Sequence, residues 1–152
     1  MVTAHHSVTA GAPVETLWKR LADLQSWPRW LRVPYATQSV SITSAQRTGL
    51  GTEFTMKGQL PYRLFALITE WEELRRLGFE IYRSDYPSDR WFFARASIAV
   101  ELEPISDRHT VVRCTHILEG RGFLGRLYAR IVMRSFVHRN VRQIISSLRA
   151  GI

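Results

Sequence analysis

Six strand-like stretches follow one another between residues 36 and 119 with no helical segment between them, and this succession constrains the fold more than any other feature of the chain. They lie at about 36 to 43, 52 to 59, 62 to 73, 77 to 84, 91 to 103 and 109 to 119. Gly49-Leu50-Gly51, Leu60-Pro61, Pro87-Ser88-Asp89 and Ser106-Asp107 punctuate them as turns. Strands in hairpin-like succession make an antiparallel sheet, which needs a helical layer to cover its apolar face.

The two ends of the chain supply that layer and one more strand. Val2 to Ala10 alternates, with Val2, Ala4, His6, Val8 and Ala10 on one side and Thr3, His5, Ser7 and Thr9 on the other. Pro13 and Glu15 suit a helix N-terminus, and Leu17, Trp18, Leu21 and Leu24 recur at helical spacing to about Asp23. Ser26 caps a second short helix with Pro28 in its first turn. From Gly122 to about Arg149 no proline occurs, no glycine follows Gly125, and apolar residues recur every three or four positions, which predicts one long helix. The fold class is α+β: a seven-stranded antiparallel sheet, two short helices after the first strand, and a long C-terminal helix.

The strings that carry this order resemble a known family. They are Ser7-Val8-Thr9-Ala10-Gly11-Ala12-Pro13, Val14-Glu15-Thr16-Leu17-Trp18, Leu21-Ala22-Asp23, Trp27-Pro28-Arg29-Trp30, Gly49-Leu50-Gly51-Thr52-Glu53-Phe54 and Ile68-Thr69-Glu70-Trp71. In order and spacing they resemble the START-related (SRPBCC) helix-grip superfamily, and its polyketide cyclase/dehydrase branch above all. The resemblance implies a curved sheet closing on the long helix around a ligand cavity. It implies no single reaction, because such proteins include aromatase/cyclases, lipid carriers, coenzyme-Q-binding proteins and stress-response proteins. It also brings no shared catalytic motif.

At 152 residues the chain suits one START-like ligand-binding domain spanning 1–152. No apolar run is long enough to span a bilayer, and the first ten residues lack the blocks of a signal peptide, so a cytoplasmic location is expected. Cys114 is the only cysteine, which excludes an internal disulfide and any multi-thiolate site. The net charge of +8 is uneven: all 13 acidic residues precede residue 120, whereas the chain from 121 onward carries Arg121, Arg126, Arg130, Arg134, Arg139, Arg142 and Arg149.

Alternation nominates the inward side chains. Phe92, Ala94, Ala96, Ile98, Val100 and Leu102 share one face of the sixth stretch; Thr52, Phe54 and Met56 share another; Phe79, Ile81 and Arg83 a third. In the last stretch Val112, Cys114, His116 and Leu118 face inward together. His116 is either a polar contact for a ligand carbonyl, able to move a proton near neutrality, or a core histidine bonded to a neighbour. Arg83 either meets an anionic or enol-rich ligand or reaches solvent. Trp30, Tyr35, Trp71 and Trp91 form a pocket mouth or belong to core and rim.

His116 and Arg83 are therefore the candidate catalytic residues. The expected ligand-binding set is Trp30, Tyr35, Phe54, Met56, Trp71, Ile81, Phe92, Ala94, Ala96, Leu127 and Ile131, the last two from an apolar stripe of Leu124, Leu127, Tyr128 and Ile131 read as the pocket floor. His6, His116 and His138 show no compact ligand spacing, so neither a metal nor a cofactor is expected. Phosphate loops, nucleophile elbows and paired carboxylates at recognisable spacing are missing from the sequence. Arg126, Arg130 and Arg134 repeat every fourth residue and offer a surface for an anionic membrane or an acidic protein partner. Nucleic acid is a weaker fit, since no base-stacking strand motif accompanies the charge. The function expected is binding of a hydrophobic, polyketide-like or aromatic small molecule, with cyclase/dehydrase chemistry that is neither covalent nor metal-assisted. The alternative is a non-enzymatic lipid or quinone carrier, monomeric or homodimeric, that docks through its basic C-terminal helix.

Overall fold

The computed structural model describes residues 1–150. The chain runs β1 (Val2–Ala10), α1 (Val14–Ala22), a single 3-10 turn (Leu24–Ser26), α2 (Trp27–Trp30), then β2 (Ser39–Ile42), β3 (Glu53–Lys57), β4 (Arg63–Glu72) and β5 (Arg76–Ser84). A short helix α3 (Asp89–Phe92) precedes β6 (Phe93–Pro104) and β7 (Thr110–Gly120), and α4 (Gly122–Ile131) and α5 (Arg134–Arg149) complete it. All strand pairs are antiparallel, in the order β1-β7-β6-β5-β4-β3-β2. This is the expected seven-stranded sheet, with the first strand of the chain paired along its length to the last: Val2 opposes Leu118 and Ala10 opposes Thr110.

The helices close one face of the sheet. α5 buries Val137, Val141, Ile144, Ile145 and Leu148 against it. Arg20 of α1 donates to Leu148 O at 3.1 Å and Ala150 O at 2.8 Å, placing a cation on the otherwise unpaired carbonyls at the end of α5. Trp27 of α2 is buried between Phe54 and Phe79, with ring centroids 5.6 and 5.4 Å away, and its indole N–H donates to Leu21 O. These three rings pack against one another between sheet and helices.

Three irregularities change which side chains face inward. Tyr82 is an extra residue in β5 between the pairs Ala66–Ile81 and Phe65–Arg83, and Ala94 is an extra residue in β6 between Phe93–Gly120 and Arg95–Glu119. Thr69 is a third, between Ile68–Phe79 and Glu70–Gly78. A bulge shifts the alternation by one, so every residue beyond it changes face.

The predicted single C-terminal helix is broken. Val132 N–H and Met133 N–H both reach Tyr128 O, at 2.8 and 3.3 Å, and a new hydrogen-bond series begins with Val137 N–H on Met133 O. The break lets α4 and α5 lie against different parts of the sheet. α5 uses a broad aliphatic stripe, whereas α4 uses the small residues Gly125 and Ala129. At the crossing with β7 the backbones touch: a Cβ on Gly120 would sit 2.0 Å from Gly125 O, and one on Gly125 would sit 2.7 Å from Phe92 O. Only glycine allows that approach.

Candidate functional site

A cavity of about 540 Å³ lies between the sheet and the helices. Ile81, Phe93, Ala96, Ile98, His116 and Leu118 form its strand wall, and Tyr128, Met133 and Phe136 its helical wall. Pro34, Tyr35 and Thr37, Gln59, Leu60 and Leu64, and the segment holding Tyr86, Ser88 and Asp89 complete it. Its volume falls in the range of small-molecule sites, and its lining is mainly apolar with a few polar groups.

Two sets of hydrogen-bonded polar groups stand on it. The first is a buried chain in which the Tyr35 hydroxyl donates to Asn140 Oδ1 at 2.9 Å and Asn140 Nδ2 meets His116 Nδ1 at 3.1 Å. This orientation of the amide uses the Tyr35 proton. The reverse orientation would leave that O–H without an acceptor, so the satisfied arrangement has His116 Nδ1 accepting and the ring proton on Nε2. Burial lowers the His116 pKa to about 4, so the ring is neutral at physiological pH. Burial also pushes the Tyr35 hydroxyl well above its ordinary value and the Cys114 thiol up to about 12, leaving both in their protonated forms.

Among the described residues, two buried side-chain polar atoms have no hydrogen-bond partner: His116 Nε2 and Thr37 Oγ1. Both belong to residues of the cavity wall. The second polar set is Asp89, whose Oδ2 accepts from Ser84 Oγ at 2.6 Å, while Tyr86 N–H donates to the same hydroxyl oxygen. Desolvation raises the Asp89 pKa above the ordinary carboxylate value, only partly offset by the Ser84 hydrogen bond.

Four of the nominated residues meet at this cavity: His116, Tyr35, Ile81 and Ala96. Arg83 does not. The Tyr82 bulge turns its guanidinium outward, where it lies over the Phe65 ring at 4.6 Å and 3.7 Å from Asp85, and brings Ser84 to the inner side instead. Phe92 and Ala94 are displaced in the same way: Phe92 sits in α3 and stacks on Tyr128, Ala94 is the bulged residue, and Phe93 takes the wall position. Phe54 and Met56 face inward as the alternation requires but are fully buried in the core, Phe54 against Trp27 and Phe79, outside the cavity lining. Trp30 bonds Ser26 Oγ through its indole N–H, and Trp71 packs edge-on to Trp18 at 5.2 Å, both away from the cavity.

Leu127 and Ile131 point away from it as well. α4 packs by Gly125 and Ala129, so Leu124, Leu127 and Ile131 face out and Tyr128 alone of the stripe reaches the wall. His138 is exposed, and among the described residues no three histidine, cysteine or acidic side chains come together as a metal set. Asn140 was legible in principle: it is an amide on the apolar face of α5 beside Val137, Val141 and Ile144, where burial demands a polar partner. Asp89 and Thr37 carry no comparable signal, because Asp89 opens the short helix α3 and Thr37 lies in the loop before β2, and neither position follows a strand's alternation.

A family model described as polyketide cyclase / dehydrase and lipid transport matches residues 1–152. No curated protein matches the sequence. Among solved structures, a protein from Thermobifida fusca is 20% identical with a TM-score of 0.71, covering 98% of this chain and 91% of its own. A START superfamily protein from Mycobacterium smegmatis is 11% identical with a TM-score of 0.67, covering 97% and 94%. Truncated norcoclaurine synthase from Thalictrum flavum is 11% identical with a TM-score of 0.72, covering 97% and 90%. At these identities the three structures speak for the fold alone.

Proposed function

Because the chain belongs to the polyketide cyclase / dehydrase and lipid transport family, we propose that its cavity binds a hydrophobic, polyketide-like or aromatic molecule by one carbonyl oxygen, which accepts the Nε2–H of His116. The observation that carries this reading is the unpartnered His116 Nε2 on an otherwise apolar strand wall. A buried donor without an acceptor costs about 1–3 kcal/mol, and a ligand oxygen would recover it. Thr37 Oγ1 offers a second hydrogen bond to a ligand with two oxygens.

The same geometry limits the chemistry. With Nδ1 held by Asn140 and a pKa near 4, His116 is a hydrogen-bond donor and not a proton acceptor. It would polarise a carbonyl and stabilise an enolate, as fixed donors do where charge develops. In a cyclase or dehydrase the group taking the proton would be Asp89, not His116, since Asp89 is the carboxylate on the cavity wall. The second reading, a carrier, uses the same contact for binding only and is favoured by the depth at which His116 is locked.

2-Acetylnaphthalene is a suitable probe. Its carbonyl stretch is expected to move to lower frequency on binding, and His116→Leu should abolish the shift and weaken binding about three- to tenfold, the value of one hydrogen bond. An unshifted carbonyl in the bound state would remove this reading. Exchange of the acetyl protons in D₂O separates the alternatives. A proton-transferring site speeds it in an Asp89-dependent way, whereas a carrier leaves it at the buffer rate.

A further inference from the structure

α4 turns its large apolar side chains to solvent. Phe123 is 74% and Ile131 71% exposed, Leu124 and Leu127 lie between them, and Trp91 of the adjoining α3 is 70% exposed. At about 100° per residue, Phe123, Leu127, Ile131 and Leu124 occupy one arc of roughly a quarter-turn. Gly125 and Ala129 lie on the opposite side, against the sheet. The exposure thus follows from the packing: the glycine-to-glycine crossing with β7 fixes which side of α4 is inner, and the bulky side is what remains.

Charge borders this arc. Arg126 and Arg130 flank it on one edge, and Arg134 begins α5 just beyond. All three are exposed, and among the described residues none is ion-paired. The acidic side chains are used elsewhere, as in Arg95 with Glu119 and Arg113 with Glu103 on the sheet. An exposed arc of phenylalanine, leucine and isoleucine beside a row of arginines, with an exposed tryptophan on the adjoining helix, has the make-up of a helix lying in a lipid–water interface.

We infer that α4 is a membrane-docking element that seats the protein on an anionic bilayer, with Phe123, Leu127 and Ile131 inserted below the headgroups and Arg126, Arg130 and Arg134 on the lipid phosphates. A second copy of the chain fits this face poorly: two-fold contact would set arginine rows against each other, with no acid after Glu119 to neutralise them. A polyanion such as RNA would leave the aliphatic ridge in water. The docking surface stands independently of what the cavity holds. Its consequence for the cavity is positional, because Tyr128 on the inner flank of α4 and Met133 at the break just after it, both half-buried, belong to the cavity wall.

Flotation with phosphatidylcholine vesicles, with and without a third of phosphatidylglycerol, tests this. The protein should float with the anionic vesicles and bind neutral ones at least tenfold more weakly. Replacing Arg126, Arg130 and Arg134 together by alanine should weaken anionic binding about a hundredfold, each arginine near the surface contributing about fivefold. Leu127→Asp with Ile131→Asp should also abolish flotation while melting temperature and ketone binding stay unchanged, since both residues are exposed and outside the cavity lining. Trp91 fluorescence should shift to the blue on vesicle addition, and Trp91→Phe should remove the shift. Failure of the native protein to float, or flotation indifferent to the aspartate pair, overturns the inference. So does a concentration-dependent dimer in sedimentation that the aspartate pair dissolves, which would assign the ridge to a second copy.

Discussion

Acidification from pH 7 to pH 4 is expected to remove about 3 kcal/mol of folding stability through His116 alone. In the folded protein burial holds its pKa at about 4, against about 6.5 in the unfolded chain. Above pH 6.5 the ring is neutral in both states and its contribution to stability is fully present. As pH falls from 6.5 to 4 the unfolded chain takes up a proton that the folded chain refuses, so stability declines by about 1.4 kcal/mol per pH unit. Below 4 both states are protonated and the decline from this group stops. Asp89 works in the opposite sense, because its raised pKa lets the folded state bind a proton first. Urea unfolding at half-unit intervals between pH 4 and 7 measures the slope. His116→Leu should flatten it, and a variant with an unchanged slope would place the acid sensitivity elsewhere.

A comparable loss is expected from a single methyl group at the crossing of β7 and α4. Gly120→Ala puts a carbon 2.0 Å from the carbonyl oxygen of Gly125 and 2.2 Å from its carbon, and both are backbone atoms that no rotamer change can move aside. Either the start of α4 lifts from the sheet or the end of β7 bends. Overpacking of this kind costs about 3 kcal/mol, which lowers the melting temperature by roughly 6–12 °C in a chain of this size. Gly11→Ala is the internal control, since nothing lies within 4 Å of the Cβ it adds. Tyr128 stands one turn further along α4 and forms part of the cavity wall, so a properly folded remnant of Gly120→Ala should also bind ketones more weakly than the Gly11 variant.

What could be read from the sequence was periodicity, and it held wherever the backbone stayed regular. β1 occupies the residues whose alternation defined it, and Val112, Cys114, His116 and Leu118 are all buried as their shared face requires. Arg83 shows how the reading ends: one extra residue, Tyr82, reverses the face, and nothing in Ile81-Tyr82-Arg83-Ser84 announces a bulge. The same is true of Phe93 and its neighbours at Ala94. On α4 the pattern was visible but its direction was not. A stripe of Leu124, Leu127 and Ile131 marks one side of a helix as apolar, whereas the packed side was chosen by how closely Gly125 lets two backbones approach. The break after Ile131 left no trace either, since Val132 and Met133 are neither proline nor glycine.

The Trp27–Phe54–Phe79 cluster has a consequence for selection by length. These rings pack against one another outside the cavity lining, so the space between sheet and helices is closed there instead of continuing as a tunnel. For the proposed ligand contact at His116, such a closed end would discriminate against extended chains and favour molecules that are broad and short, as fused or stacked rings are. Trimming the wall, for instance by Phe79→Ala, would redirect the protein toward longer cargo without touching a single polar contact in the cavity.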